Sequence, residues 1–582
     1  MKMKTLKCFY IVLTTVALLT VQSCSLDEHI KDQPTPATIT TQNDVTAIIN
    51  GTYARLNDSN MFKYLGHLML VLCADDFYSE AGYDFGPYGQ RTFTNQHTAP
   101  MWDNLYASIA NANNLINVLD NMQLNADFKK RAYGDAYFIR AFCYYYLVRL
   151  YGGVPLRLEP TSINSNFYLP RASVDETYAQ IFKDFKAASE RLPLQSSITI
   201  SELGRASKGA AQALLAQAYL TYGDQLTLHG QDGTAQFQSS VTYADSVLTS
   251  GQYSLINDYA DLFEVAKELQ AYKEVIFGIR FQTDGTTRGM SAAGSEYALR
   301  FNGVDTYFVS ANGDEQNGDA TYRVMPWFAD YYRTGDYASS AGDVLDYRNE
   351  AAFWQSATGR QNRTYYIYPT PVPSGASNYT IPYPLCRKYI DPTGKDSRNH
   401  GNDFFIIRLA ELYLIKAEAL NELYGPNADA LAAFNKVRER ARNANGVARA
   451  IPANLTTVTA GDKDKFRMKI FDERGLELVG EGQRWFDLVR MRSPRSYDET
   501  MYAYQFLYRF QNKITGAGYP TYTAMDPLTL TFNNTTKLYS AYNTVYKPTL
   551  NVTVPRFLLF PVPATERLQN KNFGPQNPGW GN

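Results

Sequence analysis

Helix-length segments in which apolar residues recur every three or four positions dominate both halves of this 582-residue chain. That spacing places apolar side chains on one face of an α-helix, and the face must then pack against another element. Most of the segments come in pairs joined by short connections, which is typical of antiparallel helix pairs. The expected helices are residues 44–56, 104–119, 127–150, 173–191, 204–222, 234–249, 404–423, 427–441 and 484–491.

Local signals at the ends of these segments support the same interpretation. Gly152 and Gly153, followed by Pro155, are expected to stop the 127–150 helix. Ser173 with Glu176 three residues later has the pattern of a capping box. Alanines recur along 204–222 and would let helices approach closely, as in degenerate tetratricopeptide units. We therefore expect a mainly α fold of tetratricopeptide-like helix pairs, with a loop-rich second part and little β structure.

Two stretches are rich in aromatic residues and poor in helical periodicity. Residues 291–390 hold 19 aromatics, and residues 77–93 hold six in 17 positions. Glycine, proline, serine and asparagine are also frequent between residues 255 and 400, which predicts long ordered loops over a helical scaffold. Loops on a rigid scaffold are common places for binding sites.

The first 23 residues have the pattern of a secretory leader. Three lysines precede an apolar stretch, residues 9–21, that is too short to span a bilayer. Val21-Gln22-Ser23-Cys24 follows and resembles a bacterial lipobox, in which the thiol of the cysteine receives a diacylglyceryl group. Ordinary signal-peptide cleavage after Ser23 is the alternative. Residues 24–40 contain two prolines and are interpreted as a lipidated tether.

Composition and motif spacing argue against several classes of function. The formal net charge is −1, so the chain lacks the basic balance of a nucleic-acid-binding protein. Five cysteines, two of them in or next to the leader, do not form a disulfide framework. The five histidines have no zinc-ligand spacing, and no nucleophile-elbow motif occurs. Residues 312–319 offer oxygen ligands that would suit Ca²⁺, but they depart from the EF-hand spacing, so we expect a solvated turn and no cofactor.

The most specific pattern is DERGLELVGEGQRWFDLVR at residues 472–490. A second is FIIRLAELYLIKAEA at residues 405–419, and a third is the helix that ends in YGGVP at residues 151–155. GRASKGAA at 204–211, LFPVP at 559–563 and QNPGW at 576–580 complete the set. In order and spacing these motifs resemble those of the SusD/RagB family, although that family often has a bulkier residue at Gly475.

The resemblance implies more than the residues alone indicate. It implies an α-helical lipoprotein, anchored to the outer membrane through Cys24 and facing the cell exterior. It implies a SusC-like TonB-dependent transporter as partner and a polysaccharide or oligosaccharide as ligand, with peptide capture in some family members. The domains expected on this basis are a signal peptide (1–23), a lipidated tether (24–40), an N-terminal helical region (41–254) and a C-terminal region (255–582). The last contains a loop-rich insertion at 255–400 and helices within 404–492.

The resemblance transfers no ligand contact, so site candidates rest on residue chemistry. A sugar ring exposes C–H groups on which aromatic rings stack, while polar side chains bond its hydroxyl groups. The candidates are Tyr78, Tyr83, Phe85 and Tyr88 with Asp76 and Asp84, and then Tyr307, Trp327 and Trp354. For each aromatic residue the alternative is a packing role in a loop or in the core.

The acidic motif at 472–490 also has a catalytic interpretation. Glu473 and Glu477 share one helix face, and we expect the arginines Arg474, Arg484 and Arg490 to neutralise them in a structural ion-pair network. A glycosidase needs two carboxylates across a cleft, and the acidic residues among the aromatics of 75–84 would serve that chemistry or sugar binding. Together with the resemblance, this predicts a binding protein and not an enzyme. Peptide capture and, less favoured, surface hydrolysis are the alternatives.

Overall fold

The computed structural model of the protein describes residues 39–79, 88, 93–162, 164–282, 287–288, 291–292, 294–302, 307–309, 315–340, 344–358, 364–368, 370, 380–381, 383–394, 398–494, 496, 499–505, 532–533, 538–539 and 558–581. The chain divides into two compact units, Met1–Val45 and Thr46–Asn582. The predicted leader, most of the tether and Cys24 lie outside the described residues. Within those residues no helix is long and apolar enough to cross a membrane.

Helices make up most of the described chain, which confirms the mainly α prediction. The first half contains α1 (Gln42–Ala54), α2 (Leu65–Leu72), α3 (Asn95–Asn121), α4 (Ala126–Tyr151), α5 (Val174–Ser189), α6 (Lys208–Leu228) and α7 (Thr234–Leu248). Short helices follow: α8 (Glu268–Ala271), α9 (Tyr297–Phe301), α10 (Pro326–Tyr331) and α11 (Tyr347–Ala352). The remainder are α12 (Leu409–Tyr424), α13 (Ala428–Ala441), α14 (Thr457–Ala460), α15 (Lys463–Glu477), α16 (Arg484–Arg490), α17 (Met501–Ala503) and α18 (Ala564–Gln569).

Strands are short and pair in small groups. They are β1 (Phe77–Tyr78), β2 (Val275–Ile279), β3 (Thr287–Arg288), β4 (Ser291–Ala292), β5 (Tyr307–Val309), β6 (Glu315–Asn317), β7 (Arg323–Val324), β8 (Ser356–Thr358), β9 (Thr364–Ile367), β10 (Thr380–Ile381), β11 (Phe404–Arg408), β12 (Asn443–Ala444), β13 (Val447–Ala448), β14 (Phe532–Asn533) and β15 (Leu538–Tyr539). The pairs are β1 with β7, β2 with β11, β3 with β4, β5 with β6, β12 with β13 and β14 with β15, and β9 lies between β8 and β10.

Helix ends follow the local signals. The Ser173 hydroxyl accepts a hydrogen bond from the Glu176 N–H at 3.1 Å, and the Glu176 carboxylate accepts one from the Ser173 N–H at 2.8 Å, which confirms the capping box. Helix α6 begins at Lys208 rather than at 204, because the Ser207 side chain caps it by accepting from the Ala210 N–H. Gly204 has a φ of +97°, which no right-handed helix adopts.

The helices stack in an order that crosses the loop-rich middle of the chain. Along the series from α3 to α7, each helix packs against the one before it. Helix α7 then packs against α12, and α12 packs against α13 and α15. Alanine side chains on α6 and α12 are fully buried at these crossings, where a small residue permits close approach. The N-terminal helix pairs therefore continue directly into the C-terminal pair, as a tetratricopeptide-like scaffold requires.

One expected helix begins instead as a strand. Residues 404–408 form β11, which pairs antiparallel with β2, and α12 starts only at Leu409. All five residues of β11 are buried, and a short run that is buried on both sides shows no period that separates a strand from a helix. The prediction of helix from residue 404 was wrong for this reason. Phe404 lies opposite Ile279, so the chain leaves the scaffold and returns to it at neighbouring points.

Buried ion pairs join the second half of the scaffold. Glu477, fully buried, accepts hydrogen bonds from Arg408 and Arg440 on one oxygen and from Arg348 on the other, the last at 2.9 Å. Glu481 accepts from Arg408 at 2.8 Å and from Lys388 at 2.7 Å. Although burial alone would raise it, the three guanidinium groups hold the pKa of Glu477 well below its usual value.

These contacts confirm the predicted ion-pair network and correct its partners. Arg474, Arg484 and Arg490 do not neutralise Glu473 and Glu477. Arg474 pairs with Glu411 and Asp487, and Arg484 pairs with Asp75. Arg490 pairs with Glu418, Asp224 and Asp487. Side chains at neighbouring helix positions point about 100° apart. The arginines of α15 and α16 therefore face different elements from those that the adjacent glutamates face.

Candidate functional site

Four extended segments from distant parts of the chain lie side by side. Tyr78 in β1 lies opposite Arg323 in β7, and Arg323 forms a bridge with Leu385. The Trp354 N–H donates to the Leu385 carbonyl oxygen at 3.0 Å. Residues directly opposite one another point to the same face. At about 4.8 Å between strands, Tyr78 and Trp354 stand at the two ends of a row roughly 14 Å long.

The alternate residues of the same segments point the other way. Phe77, Val324, Phe353 and Cys386 all belong to the main hydrophobic cluster. Because side chains alternate along a strand, the burial of one set turns the other set away from the main core. This explains how short strands in a loop-rich region can hold aromatic side chains in fixed positions.

The outward face carries aromatic rings beside guanidinium groups. The Arg323 guanidinium lies 3.9 Å from the centre of the Tyr383 ring, and that of Arg387 lies 5.3 Å from the Trp354 ring. The Trp354 indole N–H donates to Asn302 Oδ1 at 3.1 Å, which fixes the ring orientation. We call Tyr78, Arg323, Trp354, Tyr383 and Arg387 the aromatic–arginine surface.

Exposure on this surface is graded. A second hydrophobic cluster, built mainly from β8, β9 and β10, covers its centre, where Leu385 and Arg323 are buried. Tyr78, Tyr383 and Trp354 are partly exposed around that cluster, and Arg387 is exposed. Partly exposed rings held by neighbours lose little conformational entropy when a ligand stacks on them, which suits recognition.

Two consecutive carboxylates lie directly before β1. Asp75 is fully buried, and its carboxylate accepts hydrogen bonds from Arg484 Nε at 2.7 Å and Arg484 Nη2 at 3.0 Å. Its backbone carbonyl accepts from the Trp327 indole N–H at 2.9 Å. Asp76 is also buried, and burial, together with the charge of Asp75, raises the pKa of Asp76 to about 8. Its carbonyl accepts from the Met325 N–H at 2.7 Å, which joins β1 to the start of α10.

The candidates predicted from sequence fall into three groups. Tyr78 and Trp354 lie together on the aromatic–arginine surface. Tyr88, Trp327 and Asp76 are buried, at 2%, 4% and 2% exposure. Tyr88 packs edge-on against His97, and Trp327 packs against Phe328, so both rings serve the core in this structure.

The remaining candidates have no described side chain. Tyr307 begins β5, opposite Asn317, and only its backbone is described. Tyr83, Asp84, Phe85 and Cys24 lie outside the described residues.

Sequence reasoning missed Arg323, Tyr383 and Arg387. Their pairing with aromatic rings depends on strand register between segments far apart in the chain, so no local spacing indicates it. The high aromatic content of 291–390 was the available signal, and it located the region without the arginines.

Among the described residues, no group of three or more His, Cys, Asp or Glu side chains is arranged so that it could hold a metal ion. Cys73, Cys143 and Cys386 are all buried. Of residues 312–319, expected to form a solvated turn, 312–314 lie outside the described residues, 315–317 form strand β6 instead, and Asp319 pairs with the buried Arg300.

Comparison with known proteins gives consistent matches along the chain. Residues 273–580 match the family model described as "SusD family", and residues 26–220 match one described as "Starch-binding associating with outer membrane". "SusD-like protein P2" of Formosa agariphila is 27% identical over 598 residues, covering 99% of this chain and 100% of the relative. A SusD-like protein of Bacteroides ovatus is 24% identical over 72% of this chain and 69% of its own length.

Solved structures share the fold. A SusD homolog from Bacteroides thetaiotaomicron has a TM-score of 0.71 at 21% identity, covering 93% of this chain and 98% of the other. A laminarin-binding SusD-like protein has a TM-score of 0.65 at 20% identity, covering 93% and 100%. Surface glycan-binding protein A from Bacteroides fluxus has a TM-score of 0.64 at 20% identity, with the same coverage. Similarity of this kind shows a common architecture.

Proposed function

Because this chain belongs to the SusD family, we propose that it is a cell-surface lipoprotein that binds a polysaccharide or oligosaccharide. We propose further that it delivers this glycan to a SusC-like TonB-dependent outer-membrane transporter. The observation that carries the binding proposal is the aromatic–arginine surface, where Tyr78, Tyr383 and Trp354 are partly exposed and the exposed Arg387 guanidinium lies beside Trp354.

The chemistry of that surface suits a sugar chain. Aromatic faces bind the C–H side of a pyranose ring, and arginine offers several N–H donors to hydroxyl oxygens. Rings at both ends of a row roughly 14 Å long favour a ligand of more than one sugar unit. Two relatives by fold are named for glycan binding, a laminarin-binding protein and a surface glycan-binding protein, which supports the same ligand class.

Binding without hydrolysis is the proposal that the local charges favour. Asp75, which lies shortly before Tyr78 in the chain, is neutralised by Arg484 and fully buried. Asp76 is also buried, so neither carboxylate faces a second one across an open cleft, as a glycosidase would need. We propose lipid attachment at Cys24 as the means of retention at the outer membrane, with the protein facing the cell exterior.

Calorimetry of the purified protein against polysaccharides, oligosaccharides and peptides tests the ligand. We expect a saturable glycan response that Trp354→Ala weakens about 5- to 100-fold, by analogy with ~1–3 kcal/mol per stacked ring in single-strand binders. Tyr424→Ala is the matched control, because Tyr424 is an aromatic residue with 63% exposure at the end of α12 and outside this surface.

The outcomes separate the alternatives. If Trp354→Ala and Tyr78→Ala leave glycan binding unchanged, the ligand class would stand, but the aromatic–arginine surface would not be the binding site. A response to peptides alone would replace glycan capture with peptide capture. Release of shortened sugars would make the protein a hydrolase. Affinity purification from solubilised outer membranes tests delivery, and recovery without a TonB-dependent transporter would contradict it.

A further inference from the structure

One cation of the aromatic–arginine surface has no partner of opposite charge. The Arg387 side chain is exposed, and within the described residues it forms neither a hydrogen bond nor an ion pair. Its guanidinium lies 5.3 Å from the centre of the Trp354 ring. An arginine offers five N–H donors in a planar fork, so at this position all five remain available to a ligand.

The backbone fixes the place from which Arg387 projects. Its N–H donates to the Ala352 carbonyl oxygen at 2.7 Å, and the preceding residue, Cys386, forms a bridge with Phe353. Cys386 and Phe353 are buried in the main hydrophobic cluster, so alternation along the strand turns Arg387 and Trp354 to the same outward side. The indole ring and the guanidinium are therefore presented side by side.

At this end of the surface, Arg387 supplies the polar contact for a ligand on Trp354. The indole N–H already donates to Asn302 Oδ1 at 3.1 Å, so the Trp354 ring offers a ligand its apolar face. A sugar that stacks on this face has its polar substituents at the rim of the stack. The guanidinium of Arg387 lies at that rim.

Carboxylates in the adjoining segments have cations of their own. Asp319, in the segment that leads to β7, pairs with Arg300. Glu350, in α11, accepts hydrogen bonds from Arg449 at 2.6 and 2.9 Å. Neither carboxylate balances the positive charge of Arg387, which is left for a ligand.

A hydroxyl group and an anionic group gain different amounts from such an arginine. An exposed guanidinium is hydrated, so the exchange of water for a neutral hydroxyl changes the binding free energy little. A carboxylate or a sulfate accepts two parallel N–H bonds from the guanidinium fork and adds the attraction of opposite charges. Arg387 therefore favours an anionic sugar over its neutral counterpart.

We propose that the aromatic–arginine surface selects glycans that carry anionic sugar units. Arg387 binds the carboxylate or sulfate of such a unit while the ring of the unit stacks on Trp354. The inference rests on the glycan-binding function proposed above, and it adds the substrate class and a residue that determines specificity.

Calorimetry of the purified protein at low ionic strength tests the selection with matched pairs of probes. Oligogalacturonates and oligomannuronates are compared with their methyl esters, and sulfated galactan oligosaccharides are compared with the desulfated forms. We expect at least one anionic probe to bind about 3- to 10-fold more tightly than its neutral counterpart. Added salt should narrow the difference, because it screens the charge of an exposed arginine.

Two substitutions of Arg387 assign the preference. Arg387→Gln removes the charge at an exposed position and should abolish the preference, whereas Arg387→Lys keeps the charge without the fork and should retain part of it. Lys183→Gln is the matched control and should keep the preference, because Lys183 is an exposed cation on α5, outside this surface. Thermal melting checks that each variant folds.

The outcomes separate this selection from the function on which it rests. A preference for the anionic probe that Arg387→Gln removes upholds the proposal, and the pair that shows it identifies a carboxylate or a sulfate as the bound group. Equal binding within every pair, or a preference that Arg387→Gln leaves unchanged, would overturn the selection. Glycan binding that Trp354→Ala weakens would still uphold the proposed function in that case. Binding of no glycan, charged or neutral, would overturn both.

Discussion

Arg484 holds both carboxylate oxygens of Asp75 at 2.7 and 3.0 Å, although the two residues are 409 positions apart in the chain. The guanidinium also lies 3.7 Å from the centre of the Phe471 ring and donates to the Phe471 carbonyl oxygen at 3.1 Å. Asp75 is two residues from β1, so this ion pair fixes the start of the aromatic–arginine surface against the C-terminal helices.

Loss of that pair should be strongly destabilising. Arg484→Met leaves the Asp75 carboxylate buried without its cation, and we expect the free energy of unfolding to fall by ~3–5 kcal/mol. Chemical denaturation measures the loss. Lys436→Met is the control, since the Lys436–Glu439 pair is 54% and 43% exposed, and we expect little change. Asp75→Asn combined with Arg484→Met should recover part of the loss; a double variant as unstable as the sum of the two would argue against the pairing.

Asp76 should give stability a distinct pH dependence. An unfolded chain releases this proton near pH 4, whereas the folded protein retains it up to a pKa of about 8. The folded state therefore binds more protons inside this window, and the contribution of Asp76 to stability falls as pH rises through it. The stability of Asp76→Asn relative to the natural protein should increase from pH 4 to pH 8 and then level off. A difference that is constant with pH would contradict the buried, protonated state.

Gly475 is required by its neighbour Tyr332. A Cβ at position 475 would overlap the Tyr332 hydroxyl, which donates to the Asp472 carbonyl oxygen at 2.6 Å. Gly475→Ala should cost ~1–3 kcal/mol of stability by overpacking. Gly51→Ala is the matched control, because open space surrounds that helical glycine and alanine there should be neutral or stabilising.

A double variant tests the cause of the Gly475 effect. Tyr332→Phe removes the hydroxyl, so Gly475→Ala should cost less in that background than alone. Equal costs in both backgrounds would show that the strain arises elsewhere.

Cys24 should be the site of lipid attachment. Cys24→Ala should lose metabolic labelling with palmitate and should leave the outer-membrane fraction. Cys143→Ala should keep both properties, because Cys143 is a fully buried core thiol. A natural protein that never carries the label would favour ordinary cleavage after Ser23.

Local signals in the sequence were reliable, and long-range pairings were not. The capping box of Ser173 and Glu176 depends on residues three positions apart, and it forms as predicted. The partners of Glu477 lie 37 to 129 positions away, and nothing in the spacing of the motif could identify them. Burial on both faces likewise concealed strand β11 within an apparent helix.

The candidate site was likewise predictable in its local features and not in its long-range pairing. The aromatic-rich segments are visible in the sequence, and Tyr78 and Trp354 are among the residues predicted from them. Their alignment in one row depends on the register between β1, β7 and the segment at Leu385. Burial separates them from Tyr88 and Trp327, which have the same aromatic chemistry and lie in the core.

The pairing of Ile279 with Phe404 brings the two ends of residues 280–403 together. Both ends of this segment lie on one ladder, so its length and composition can change during evolution while the stacked helices keep their places. Anchors restrict the exchange: Arg348 and Lys388 pair with Glu477 and Glu481 of the scaffold, and Val324, Phe353 and Cys386 belong to the main hydrophobic cluster. A lineage that preserves these anchors is free to replace Trp354 and its partly exposed neighbours without redesigning the fold.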